Sequence, residues 1–228
     1  MTLVKICGIT SLEDALLCVE EGADMLGFNF YPRSPRYVAP AVARRITEQL
    51  PASVLSVGVF VNEESPARVE EIASRAGVAG LQLHGDEPAA YCRALQGRFV
   101  IKALRVAPAF APESAARCGA QAVLLDAYNK NFYGGTGDTF DWSAAREVRA
   151  LVPRLFLAGG LSVDNVADAV RAVAPYAVDA CSLLERAPGL KDAARVRAFV
   201  AAVRRADEAV ASSASTAPST DSSKREVR

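Results

Sequence analysis

Residues 3–30 read LVKICGITSLEDALLCVEEGADMLGFNF, and they hold the unit on which the rest of the chain is built. Two short runs, LVKIC (3–7) and MLGFNF (25–30), are apolar without strict alternation, the pattern of strands buried on both faces. Between them Leu12, Ala15, Leu16 and Val19 recur at helical spacing on one face. Ser11 is placed to cap that helix, Asp14 falls in its first turn, and Gly22 suits its end. The stretch is a strand, a helix and a second strand.

Outward from this unit the pattern recurs. Further apolar runs are VLSVGVFV (54–61), GLQLH (80–84), FVIKAL (99–104), AVLLDA (122–127), RLFLAGG (154–160) and AVDACSLL (177–184), which makes eight strands with the first two. The segments between them include SPARVEEIASRAG (65–77), with Ser65 as cap, Pro66 in the first turn and Gly77 at the end. SVDNVADAVRAV (162–173) predicts a helix capped by Ser162. Eight alternations in one chain of this length predict a closed α/β barrel of eight parallel strands, the (βα)8 TIM barrel, over residues 1–205. An open doubly wound sheet is the alternative, but no G-x-G-x-x-G follows the first strand and no Walker loop occurs. From 206 to 228 the chain turns rich in Ser, Thr and Ala, which predicts a disordered tail.

Composition excludes several classes. The hydrophobic fraction is 51%, enough for a sizeable core, and 26 basic residues balance 26 acidic ones. Without a basic surplus neither nucleic acid nor an anionic membrane is an expected partner. The five cysteines, Cys7, Cys18, Cys92, Cys118 and Cys181, form no C-x-x-C pair and point to free thiols in a reducing compartment, the cytoplasm. No apolar run is long enough to span a bilayer. The chain is expected to act as a monomer or homodimer on a small molecule.

A barrel of this kind carries its chemistry where strands end. The residues there are polar or glycine: Cys7 and Gly8, Asn29 to Arg36, Asn62, His84 to Asp86, Arg105, Asp126, Gly134 to Gly137, Gly159 and Gly160, and Ser182. Taken singly they are ambiguous. Cys7 suits a small buried hydrophobe as well as a nucleophile or base, and Lys5, two positions back on the same side of the strand, would favour its thiolate. Asp126 suits a loop cap or an acid. Arg36 suits solvent, although Pro32 and Pro35 stiffen its loop. His84 is the single histidine, so it lacks partners for a metal site, and no G-x-S-x-G accompanies it as in a hydrolase. The glycines of GGTG (134–137) and AGG (158–160) let backbone N–H groups approach an anion.

Together, VKICGIT (4–10), GFNFYPRSPRYV (27–38), VGVFVN (57–62), LQLHGDE (81–87), GGTGDTFDW (134–142), LAGGL (157–161) and PYAVDACSLLE (175–185) resemble, in order, the signature segments of the phosphoribosylanthranilate isomerases. The resemblance covers residues 3–205. It implies a TIM-barrel enzyme of tryptophan biosynthesis that performs a cofactor-free, metal-free Amadori rearrangement. It implies Cys7 as the general base that takes the proton from C2′ and Asp126 as the general acid that protonates the ribose ring oxygen. Arg36 would bind the anthranilate carboxylate, and His84 would line the pocket. Gly135, Thr136, Gly159, Gly160 and Ser182 would hold the phosphate.

The last segment departs from the family pattern, close to VDVSSGVE. Here Cys181 stands for the first serine and Leu183 for the glycine, while Ser182 is kept. If the glycine position needs a positive φ, leucine would cost about 1–2 kcal/mol there. The expectation is an active isomerase with weakened phosphate binding; the alternatives are a barrel shifted to another substrate, or a non-catalytic one.

Overall fold

The computed structural model describes residues 1–127 and 142–215. Eight strands, β1 (Leu3–Cys7), β2 (Met25–Asn29), β3 (Leu55–Phe60), β4 (Gly80–Leu83), β5 (Phe99–Val106), β6 (Ala122–Ala127), β7 (Leu155–Leu157) and β8 (Ala177–Ala180), close in sequence order into a barrel. Every neighbouring pair is parallel, and β8 returns to β1 with Lys5 opposite Asp179 and Ile6 opposite Ala180. Helices α1 (Leu12–Glu20), α2 (Pro40–Thr47), α3 (Pro66–Ala76), α4 (Ala89–Ala94), α5 (Glu113–Arg117), α6 (Ser143–Leu151), α7 (Val166–Val173) and α8 (Ala193–Ser215) follow the strands in turn. Between β8 and α8 lie a 3-10 turn (Ser182–Leu184) and a small antiparallel hairpin, β9 (Glu185–Ala187) with β10 (Leu190–Lys191).

The caps read from the sequence form at two helices. Ser11 accepts from the Asp14 amide at 3.1 Å and Ser65 from the Arg68 amide at 3.2 Å. Gly77 ends α3 at φ 69°, a conformation open to glycine at little cost. The third expected helix starts late, at Val166. Ser162 accepts from the Asp164 amide and donates its own N–H to Asn165 Oδ1, so residues 162–165 form a turn. The expected boundary at residue 205 falls inside α8. Val196, Phe199, Val200, Val203 and Ala206 form one buried stripe there, and Asp207 accepts from both the amide and hydroxyl of Thr2, at 2.6 and 2.7 Å. The helix continues because it closes the barrel over the first strand. Residues 216–228 lie outside the described residues.

Strand alternation divides the core in two. Val4, Ile6, Leu26, Phe28, Leu81, Leu83, Val123, Leu125 and Val178 belong to the large cluster between sheet and helices. Met25, Val57, Ile101, Ala103, Ala122, Leu124, Phe156 and Ala177 form the smaller cluster that fills the barrel. Parity then places Lys5 and Cys7, Gln82 and His84, Asp126, Asp179 and Cys181 on the interior side, the last of them rising to the mouth. Among the described residues no helix is long and apolar enough to cross a membrane.

Candidate active site

Cys7 is the last residue of β1, and the space around it is shaped by a glycine. A Cβ on Gly27, its partner on β2, would stand 2.7 Å from the Cys7 sulfur and 3.1 Å from the Lys5 ammonium. Sulfur and ammonium therefore share the gap that the missing side chain leaves. Lys5 is fully buried and paired with Asp179 across the strand seam, Nζ to Oδ1 at 2.9 Å and to Oδ2 at 3.0 Å. Burial opposes the charge on Lys5, but Asp179 and Cys7 outweigh it and its pKa is raised, so the ammonium persists. Burial pushes Asp179 up to about 7, with Lys5 pulling against it.

The Cys7 thiol is held well below its usual range. The neighbouring Cys181 thiol is the main cause, and the cations Lys5 and Lys191 add to it, against the cost of burial. The help expected from Lys5 is thus present, but a second thiol does more.

Across the mouth, His84 links two interior residues. The Gln82 amide N–H lies 2.7 Å from Nδ1, which leaves the ring proton on Nε2, aimed at Asp126 Oδ2 at 3.2 Å. Asp126 is buried on β6 and accepts through Oδ2. Cys7 at the end of β1 and Asp126 near the end of β6 both fall on the interior parity of their strands, so the thiol and the carboxyl face one shared interior.

Arg36 occupies a loop fixed by more than its prolines. Asn29 accepts from the Tyr31 amide and donates to Ser34 Oγ, which in turn accepts from the Arg36 amide. The guanidinium is gripped by Glu185, Nε at 2.9 Å and Nη2 at 2.8 Å. Lys191 joins the same carboxylate at 2.9 Å, and donates to the Cys7 carbonyl at 2.6 Å. Burial raises the Glu185 pKa, but Arg36 and Lys191 hold it below its ordinary value. Glu185, Lys191, Asp179 and Gln82 were not found as site residues in the sequence, and Cys181 drew notice there only as a departure from the family's phosphate segment. The signal for Gln82 was its position two residues before His84; for Glu185, Lys191 and Asp179 only distant partners reveal them.

The glycines expected to face an anion lie after β7, with Gly159 at φ 82° and Gly160 at φ 66°. Ser182 opens the 3-10 turn after β8. Gly135 and Thr136 lie outside the described residues. Leu183 is not among the described residues with positive φ, which besides glycines are Asn62 and Ala174. Its place in a 3-10 turn needs no left-handed backbone, so the strain expected of a leucine there is absent. Among the described residues no group of three or more His, Cys, Asp or Glu could hold a metal ion.

Residues 4–202 match the family model described as N-(5'phosphoribosyl)anthranilate (PRA) isomerase. A relative from Trichlorobacter lovleyi, named N-(5'-phosphoribosyl)anthranilate isomerase, is 50% identical over 92% of this chain and 100% of its own. The crystal structure of phosphoribosyl anthranilate isomerase from Thermotoga maritima superposes with a TM-score of 0.83 at 44% identity, covering 90% of this chain and 100% of that one. Another structure of the enzyme, in complex with reduced 1-(o-carboxyphenylamino)-1-deoxyribulose 5-phosphate, gives 0.80 at 43% identity, covering 90% and 100%. With that match and an interior that brings the two expected acid–base residues to one mouth, the chain belongs to the N-(5'-phosphoribosyl)anthranilate isomerase family.

Proposed function

We propose that Cys7 is the general base and Asp126 the general acid of this isomerase. The chain is an intramolecular aldose–ketose isomerase of tryptophan biosynthesis. Its reaction converts N-(5-phosphoribosyl)anthranilate to 1-(2-carboxyphenylamino)-1-deoxyribulose 5-phosphate. Asp126 gives its proton to the ring oxygen; the C1′–O bond breaks and the anilino nitrogen shares its electron pair to form a protonated Schiff base. Cys7 then removes the proton at C2′, and the resulting enol-amine rearranges to the ketone. No atom is gained or lost.

The observation that carries this reading is the opposite setting of the two groups in one cavity. Cys7 shares the gap at Gly27 with the Lys5 ammonium and has Lys191 on its carbonyl, cations that favour its proton-accepting form. Asp126 has Oδ2 engaged by His84, which leaves Oδ1 to deliver a proton. Arg36 keeps Nη1 for the anthranilate carboxylate while Glu185 holds its other edge. Gly159, Gly160 and Ser182, with Gly135 and Thr136, hold the phosphate. The five free cysteines suit the reducing cytoplasm.

Loss of substrate fluorescence, followed on wild type, Cys7→Ala and Asp126→Asn, tests the assignment. Each variant should lose roughly 10²–10⁴-fold in kcat while still binding the reduced product analogue. Full turnover in either variant would remove that residue from its role.

A further inference from the structure

Arg36 reaches the mouth with its charge already answered. Glu185 grips the guanidinium on two sides, Nε to Oε1 at 2.9 Å and Nη2 to Oε2 at 2.8 Å. Taken alone, the two would be a neutral pair, and a neutral pair draws an anion far less than a free guanidinium does. An arginine that is to hold a carboxylate needs that charge back.

Lys191 returns it. Its ammonium donates at 2.9 Å to Glu185 Oε1, the same oxygen that accepts from Arg36 Nε. Two cations on one carboxylate leave one net positive charge. The side chains of Lys191 and Glu185 are 0% and 3% exposed and that of Arg36 is 14%, so Arg36 is the member that presents the surplus to the mouth. Among the described residues no other cationic side chain pairs with the Glu185 carboxylate within 4.0 Å.

The hairpin fixes Lys191 there from several sides. The backbone N–H of Lys191 donates to Asp14 Oδ2 on α1 at 3.2 Å. Thr10 donates to the Gly189 carbonyl at 2.6 Å, and Arg195 to the Glu185 carbonyl at 2.7 Å. A second bond of the ammonium ends on the Cys7 carbonyl at 2.6 Å, at the end of β1. A lysine set this firmly holds its charge against Glu185 without the freedom of a surface side chain.

We propose that Lys191 is a specificity-determining residue that acts through Arg36: by sharing Glu185 it leaves the cluster one net positive charge, and so sets the preference for a substrate whose aromatic ring carries a carboxylate. The inference rests on Arg36 being the ligand of that carboxylate.

The test compares two ligands by isothermal titration calorimetry. One is reduced 1-(o-carboxyphenylamino)-1-deoxyribulose 5-phosphate; the other is the same compound with an unsubstituted phenyl ring. Lys191→Met should weaken the first roughly 10–30-fold, the effect of one charge removed close to the carboxylate, and leave the second within about twofold. A merely structural lysine would weaken both alike, and that result, or no weakening of either, would overturn the proposal. Lys191→Met with Glu185→Gln removes one charge of each sign and restores the net positive charge, so it should recover most of the lost preference. A preference no better in the double variant than in Lys191→Met would also overturn it.

Should Lys191→Met not fold, the double variant carries the test, because it leaves no uncompensated carboxylate behind. It should then keep a preference near that of wild type; a preference as low as that of Arg36→Met would overturn the proposal. Arg36→Met separates the two readings. It should erase the preference for the carboxylate. If it does not, the role of Arg36 falls; if it does while Lys191→Met keeps the preference, only the role of Lys191 falls.

Discussion

Two of the buried lysine–carboxylate pairs among the described residues share one chemistry but lie on opposite sides of one sheet. Lys5–Asp179 lies inside the barrel, and Lys102–Glu87 lies outside it, under α4. In the outer pair Lys102 Nζ donates to Glu87 at 2.6 Å and to the carbonyl of Gly85 at 2.7 Å, while Glu87 accepts from the amides of Asn62 and Gly85. Apart from one bond to the Leu83 carbonyl at the end of β4, the bonds there go to the loops after β3 and β4, so the pair holds those loops to the barrel. Among the described residues the inner pair has no backbone partner, and its ammonium shares the gap at Gly27 with the sulfur of Cys7. One ion pair fastens the frame; the other lies against the sulfur proposed as the base.

Single replacements should break this parallel with the largest effects. Lys5→Met and Lys102→Met each leave a buried carboxylate uncompensated, and each should lower unfolding stability by roughly 3–5 kcal/mol in urea denaturation. Only Lys5→Met should change the titration of Cys7. The base works as thiolate, and its pKa is depressed in the native chain, so activity should persist below the range of an ordinary thiol and fail as pH falls through the Cys7 value. Removing the Lys5 charge raises that value, so kcat/KM should drop on the acid side and recover at higher pH. An equal shift of the Cys7 alkylation profile in Lys102→Met would erase the distinction.

These pairs also mark where reading the sequence stops. The strands were legible because their apolar runs are local, and β1 and β6 fall at the residues expected, Leu3–Cys7 and Ala122–Ala127. Cys7, Asp126, Arg36 and His84 were legible as strand-end residues because the barrel gathers strand ends. Their counter-charges were not: Asp179 lies 174 residues from Lys5 and Glu185 lies 149 from Arg36. An ion pair between distant segments leaves no period or spacing in the chain. The late start of α7 has a different cause, since Ser162 and Asn165 both favour caps and only the turn between them selects one.

A smaller change sharpens the contrast from the side of packing. Gly27 gives the sulfur of Cys7 and the Lys5 ammonium their place, so Gly27→Ala should displace the base without removing any charge. A shift of that size at a reacting atom costs about 10²-fold in rate. Steady-state kinetics should show kcat falling far more than KM rises. A variant with wild-type kcat would mean that the sulfur is not confined by this gap.

The smallest effect belongs to the 3-10 turn above the inner pair. Leu183 stands where the family keeps glycine, yet its backbone is not left-handed, and its side chain is 38% exposed. Nothing is strained there for a glycine to relieve. Leu183→Gly should therefore cost about 0.5–1 kcal/mol through backbone entropy and leave KM within about threefold of wild type. The measurement is KM beside the midpoint of urea unfolding. A tenfold fall in KM would show that the leucine side chain obstructs the phosphate after all, and that the turn beyond β8, like the charges below it, acts on the substrate and not only on the fold.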